Sequence, residues 1–174
     1  MSRVALPSPA GWRPMEAEDL PAVMALSERV HPTFHEGEAM FLDRLRLFPE
    51  GSLVLAHADG ALAAYAIAYP VHRFAPPPLD TVLGTLPADA DALYLHDVAV
   101  APEWRGHGLA EPAIRRLLTL AEPFGAAVLV SVYGTWPFWA RFGFARVDDP
   151  ALAPKLAGYG EGAVFMLRES MKEG

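Results

Sequence analysis

Apolar residues in this chain keep one spacing for a stretch and then change it, and each change marks a new element. Leu20, Val23/Met24, Ser27 and Val30 share one helical face between the early-turn residues Asp19 and Pro21 and the stop at Pro32, which predicts a first helix. A second helix is expected from Glu36 to Phe48, with Phe41, Leu42, Leu45 and Phe48 inward. Gly11 to Met15 reads as a short strand that follows a loose tail over residues 1–10. The period then falls to two: Ser52 to Ala56 and Ala61 to Tyr69 read as strands joined by a two-residue hairpin at Asp59-Gly60. Leu93 to Val100 is a further strand. Beyond a glycine-rich stretch, Leu109/Ala110, Ala113/Ile114, Leu117/Leu118 and Ala121 recur at helical spacing. Pro112 sits inside that pattern, so an irregular first turn and one lost helical hydrogen bond are expected. Ala126 to Val132 is a strand that follows a strand-helix crossover and should lie parallel to 93–100. A short helix around Pro137 to Phe142 and strands at Phe144 to Val147 and Ala163 to Arg168 follow, with a loop between those strands. The long segment from Pro70 to Asp91, with its triple proline, reads either as a passive excursion or as a wall of a pocket.

At 174 residues, 52% apolar and 20% charged, the chain is expected to form one domain over 1–174. Cysteine is absent, which removes disulfides, thiolate metal sites and thiol nucleophiles. No apolar run reaches spanning length and no leader pattern opens the chain, so a cytoplasmic location without membrane association is expected. A net charge of −7 argues against a sequence-independent grip on nucleic acid. It suits a cationic small molecule, or serves solubility alone.

The chemistry gathers in Val98-Ala99-Val100-Ala101-Pro102-Glu103-Trp104-Arg105-Gly106-His107-Gly108-Leu109-Ala110. A strand end passes through a turn into a glycine loop at a helix start, where unpaired N–H groups and roughly +0.5 charge from aligned peptides suit a pyrophosphate. A Walker loop is excluded, since no Lys-Ser or Lys-Thr pair occurs, and Glu111 stands where a dinucleotide fingerprint needs its third glycine. Arg105-x-x-Gly108-x-Ala110, preceded by alternating apolar residues and Pro102, resembles the acyl-coenzyme A segment of the GNAT N-acetyltransferase superfamily. Phe138-Trp139-Ala140-Arg141-Phe142-Gly143-Phe144 resembles that family's aromatic-x-x-x-Gly-Phe ending.

The resemblance implies an α/β fold, a mixed sheet in the order β-α-α-β-β-β-α-β-α-β-β whose central parallel strands splay apart. It implies acetyl-CoA as acyl donor and an amine of a small molecule or peptide as acceptor, without a metal; a homodimer is compatible with it. The backbone of Val98, Ala99 and Val100 would hold the pantetheine and thioester, with the Val98 N–H aimed at the carbonyl oxygen. Arg105, Gly106, His107, Gly108, Leu109, Ala110 and Glu111 would carry the pyrophosphate. For the base, His96 is preferred to Asp97 for its near-neutral pKa, because adjacent strand residues face opposite sides and one alone should reach the pocket; the other reading makes both structural. Tyr94, in phase with His96, would position a water or simply pack. Many family members place a tyrosine four residues before the Gly-Phe glycine to protonate the leaving thiolate; here Trp139 stands there and indole cannot do so. Tyr133 is the substitute proposed, or else a pocket-lining residue. Trp136 would form part of an aromatic wall, and Glu36 or Glu38 would anchor a cationic acceptor. His31 and His35 beside them read as solvated, and a zinc site there is not expected. Because of Trp139, an acyl-coenzyme A sensor or interaction module with little or no turnover is the alternative function.

Overall fold

A computed structural model describes residues 11–57 and 59–171; the tail expected over residues 1–10 lies outside them. Seven strands form one sheet in the spatial order β1-β2-β3-β4-β5-β7-β6: β1 (Trp12–Pro14), β2 (Ser52–Ala56), β3 (Leu62–Val71), β4 (Ala92–Val100), β5 (Ala126–Ser131), β6 (Ala145–Arg146) and β7 (Val164–Glu169). Helices α1 (Leu20–Val30) and α2 (Glu38–Leu47) cover one face and α3 (Glu111–Ala121) the other; α4 (Trp136–Ala140) and α5 (Ala153–Leu156) are short. This is the expected mixed α/β arrangement, with β4 and β5 the parallel pair. Each face buries its own apolar cluster. Leu20, Val23, Leu26, Met40 and Phe41 meet Tyr65, Ile67 and Tyr69 on one side. Ala113, Ile114, Leu117 and Leu118 meet Ala66, Ala68, Leu93 and Leu95 on the other. Strands β2 and β3 carry almost unbroken buried runs because both of their faces are covered.

Four local expectations change. The β2–β3 connection is longer than a two-residue hairpin: β2 ends at Ala56 and β3 starts at Leu62, the His57 N–H donates to the Ala61 carbonyl, and Gly60 supplies φ +88°. Pro112 is the second residue of α3, where an N–H has no helical acceptor anyway, so no bond is lost. Between β6 and β7 the expected loop is largely helical, with α5 flanked by single 3₁₀ turns.

The fourth change shapes the site. Ile67 pairs with Asp97 and Ala68 with Leu95, leaving His96 without a partner on β3. This β-bulge inserts one residue and resets the alternation. Tyr94 and Ala99 both pack into the α1/α2 cluster while Leu95 and Val98 pack on the α3 side, so His96 and Asp97 turn to the same face. The expectation that one of the two would reach the pocket is therefore corrected. Beyond Tyr94 the parallel pairing ends: its registered partners are Leu93 with Ala127 and Tyr94 with Val128, and β4 runs on to Val100 unpaired with β5.

Candidate active site

That splay opens into a cleft of about 920 Å³, lined along one side by Val98–Val100, along the other by Leu129, Val130 and Tyr133, and closed by Phe138, Trp139 and Phe142. The Ala101 N–H donates to the Ala63 carbonyl at 2.8 Å, toward β3. Amides alternate in direction along a strand, so those of Val98 and Val100 point away from β3 and into the gap. The Val100 carbonyl also faces that way, since it accepts from Arg105 Nε at 3.3 Å. A strand edge of unpaired main-chain groups at Val98 and Val100 thus lines the cleft, while the main-chain groups of Ala99, like those of Ala101, face β3.

At one end the cleft runs into the loop from Trp104 to Glu111. Gly106 and Gly108 take φ of +80° and +69°, and a Cβ on either would meet nothing within 4 Å. Among the described residues no main-chain N–H from Gly106 to Ala110 donates to a protein acceptor. Ala110 caps α3 without a side-chain hydrogen bond. Such a run of open N–H groups at a helix start fits a diphosphate. Arg105, Gly106, Gly108, Leu109, Ala110 and Glu111 line the cleft; His107 does not, its ring lying edge-on to Trp104 at 6.1 Å. The Glu111 carboxylate is drawn along the helix to Arg115 at 2.9 Å.

The other end is made of side chains. His96 is buried, and both of its ring nitrogens are occupied: Nδ1 lies 2.7 Å from the Tyr69 hydroxyl and Nε2 2.6 Å from Glu36 Oε1. Nothing is left to take a proton from an acceptor, and the base role expected of His96 is not supported. Glu36 in turn accepts from the Asp80 N–H at 3.0 Å. Burial works to raise its pKa, but His96 and that N–H outweigh it, so the carboxyl is held below its usual range. Glu36 borders the cleft as an internally committed carboxylate and not as the free anchor expected; Glu38 lies in the first turn of α2, outside the cleft lining. Tyr94 is fully buried against Tyr159 at 3.0 Å and lies below the cleft, and Trp136 lies outside it beneath Arg146 at 5.1 Å. Both were expected to touch the acceptor. The structure gives neither that place.

The pair that sequence reasoning missed is His31 with Asp97. His31 caps the C-terminus of α1, and its Nε2 lies 3.0 Å from both Asp97 oxygens. Asp97 also accepts from the Tyr65 hydroxyl at 2.5 Å. Burial opposes a charged His31, yet the hydrogen bond and charge of Asp97 prevail and raise its pKa above the ordinary imidazole value. His31 Nδ1 lies 3.2 Å from the Tyr133 hydroxyl. The one signal available was Asp97 itself, next to Val98; without the bulge the pleat aims it away.

Pro70 and Val71 end β3, and of the segment that follows to Asp91 one residue borders the cleft. Leu79 lines the cleft, and the segment is tied down where Tyr159 donates to the Pro77 carbonyl and Asp43 accepts from the Leu83 and Gly84 N–H groups. Arg44, almost fully buried, donates to the Thr81 carbonyl at 2.8 Å and stacks 4.6 Å above Tyr69. Among the described residues no group of three or more His, Asp or Glu could hold a metal ion.

A sheet splayed beside a main-chain edge, with a glycine loop opening the next helix, is the arrangement implied by the resemblance to the GNAT superfamily. The model of the acetyltransferase (GNAT) family matches residues 18–144, and the chain belongs to that family. Its fold is similar to that of Ard1 from Thermoplasma volcanium, with 17% identity, 92% of this chain and 97% of that one covered, and a TM-score of 0.68. It is similar also to Rv2747 from Mycobacterium tuberculosis, solved with CoA, at 17% identity, 92% and 99% coverage and a TM-score of 0.65. A GNAT-like decarboxylase, GphF, solved with isobutyryl-CoA, shares 23% identity over 91% of this chain and 98% of that one, with a TM-score of 0.65. No curated protein matches the sequence. Among the described residues no helix is long and apolar enough to cross a membrane.

Proposed function

We propose that this chain is an N-acetyltransferase that moves the acetyl group of acetyl-CoA directly to a primary amine of a small molecule or peptide. The observation that carries this reading is the continuity of the cleft. Open main-chain N–H groups from Gly106 to Ala110 lead into the exposed edge of β4 at Val98 and Val100, which leads to a side-chain cluster at His31 and Tyr133. A diphosphate, a pantetheine arm and a reacting carbonyl need such surfaces in that order.

On this reading acetyl-CoA supplies the activated acyl group. Arg105, Gly106 and Gly108 to Glu111 hold its diphosphate, and Val98 to Val100 align the arm. The Val98 N–H stabilises the charge that grows on the carbonyl oxygen, where a fixed donor contributes typically about 3 kcal/mol. An amine must be neutral to attack. A lysine-like amine of pKa about 10.4 is neutral roughly once in 2,500 molecules at pH 7, so proton removal is a requirement, whereas an α-amine near 8 needs little help. Tyr133, 58% exposed and facing the cleft, is the phenol available to protonate the departing thiolate.

The test is thiol release from acetyl-CoA with a panel of amines spanning small diamines, aminoglycosides and peptide N-termini. Acceptor-dependent release supports transfer. Tight coenzyme A binding with no release for any acceptor would support the sensor reading, which the indole at Trp139 keeps in view.

A further inference from the structure

We propose that Tyr133, His31 and Asp97 form one proton shuttle, in which Tyr133 exchanges protons with the reacting nitrogen and sulfur and the His31–Asp97 pair behind it holds the proton in between. The proposal rests on the acyl-transfer reading above and assigns its acid and base work to a single chain of groups.

The geometry excludes the other titratable groups at this end of the cleft. His96 has both nitrogens engaged, and Glu36 has both oxygens engaged. Tyr159 lines the cleft, but its hydroxyl donates to the Pro77 carbonyl at 2.6 Å. Tyr65, Tyr69 and Tyr94 are buried beneath it. Tyr133 alone among these phenols is exposed to the cavity, and the backbone is bent to put it there. Its φ is +57° and that of Gly134 is +69°, a pair of left-handed residues closed by the Thr135 N–H on the Val132 carbonyl at 3.2 Å. A bulky aromatic in that region costs of order 1 kcal/mol or more and persists where something else requires it. Its ring lies nearly parallel to His31, 13° between planes at 6.0 Å, and tilted against Phe34 at 5.9 Å.

The tautomer follows from the partners. Asp97 faces His31 Nε2, so the neutral ring keeps its hydrogen on Nε2 and presents the Nδ1 lone pair to the Tyr133 hydroxyl. As the C–N bond forms, the amine nitrogen gives a proton to Tyr133 Oη while Tyr133 gives its own to His31 Nδ1. As the C–S bond breaks, Tyr133 Oη protonates the sulfur and recovers its proton from Nδ1. One proton has moved from nitrogen to sulfur, and Tyr133 and His31 are restored. Asp97 is a positioning residue: it orients the ring and offsets its transient charge, and Tyr65 fixes Asp97 in place. Other charged groups facing His31 are Glu36, which favours the charged ring, and Arg105, which opposes it.

The pH dependence has a definite sign. The shuttle needs neutral His31, whose pKa lies above the imidazole norm, so turnover falls as pH drops through that raised value. Asp97→Asn removes the largest raising influence, so the acid limb should move to lower pH.

The experiment measures kcat against pH, with coenzyme A affinity by calorimetry as the check on folding, for wild type, His31→Gln, Tyr133→Phe, the double variant and Asp97→Asn. Expected are losses of about a hundredfold in kcat for each of the first two variants at unchanged coenzyme A affinity. The double variant should be no slower than the slower single one, because both break one chain. Independent, multiplying losses overturn the shuttle, as does His31→Gln at wild-type kcat or an acid limb that Asp97→Asn does not move. Those results leave acyl transfer standing. A wild-type protein that binds coenzyme A and acetylates no amine overturns both readings together.

Discussion

At the Gly106–Ala110 end of the cleft the polar groups are main-chain N–H groups that, among the described residues, have no protein acceptor, whereas at the His31–His96 end the polar groups are side chains that hold one another. The first end is built from local chain geometry: two left-handed glycines and the start of one helix. The second is assembled from the α1–α2 link, the bulge of β4, the tight turn after β5 and the segment at 77–84, over separations of up to 102 residues. A site of the first kind is open and tolerant; a site of the second kind is coupled, so one change disturbs several partners.

The sharpest test of that contrast is His96→Ala. His96 and Glu36 are both almost fully buried, so removing the ring leaves a carboxylate with one oxygen unpartnered in a low-dielectric setting. Breaking a buried pair in this way destabilises by about 3 kcal/mol. We expect that loss in urea unfolding, with coenzyme A affinity retained. A loss under about 0.5 kcal/mol, typical of a surface change, would mean that water or the segment at 77–84 serves Glu36 as well as His96 does, and the acceptor end would not be a coupled unit.

Gly108→Val probes the opposite end. The residue adopts φ +69° and a Cβ there meets only open space, so the valine disturbs the loop and not the core. Left-handed backbone costs an L-residue roughly 1–2 kcal/mol, and the side chain blocks close approach to the N–H groups. Coenzyme A should bind about a hundredfold more weakly, equivalent to about 2.7 kcal/mol. Thermal unfolding should move by no more than about 8 °C. An unchanged dissociation constant would remove the loop from cofactor binding altogether.

The same contrast explains what could be read from the sequence. Element order, the parallel pair and the glycine loop depend on periodicity and on glycine placement, both of which are local and visible. The acceptor end depends on a register event. The pleat rule correctly separates His96 from Asp97 on an ideal strand, and the bulge cancels it; nothing in Leu95-His96-Asp97 announces an unpaired residue, because the bulge is defined by its partners on β3. His31 reads as a solvated linker residue because its partner lies 66 positions away. Trp136 reads as a wall residue from its neighbours, but the α4 residue turned inward is Trp139, which packs against Phe142 and Phe144 beyond the helix.

Trp139 provides the smallest effect and the finest discrimination. It stands four residues before Gly143, where the resemblance leads to the expectation of a tyrosine; it lines the cleft and packs edge-on to Phe138 at 5.1 Å and Phe144 at 5.8 Å. Trp139→Tyr restores a phenol there while keeping most of the apolar contact. If the cleft has moved its proton donor to the turn after β5, that phenol adds a second route to a step already served, and kcat should change by no more than about twofold, or roughly 0.4 kcal/mol. In a Tyr133→Phe background the same phenol would face an unserved thiolate, and a recovery of about tenfold is expected there. The two arms together separate position from chemistry. A large gain in the wild-type background would mean that the leaving group lies under residue 139 and that Tyr133 never reached it, whereas no recovery in the Tyr133→Phe background would mean that a phenol without His31 and Asp97 behind it cannot do the work.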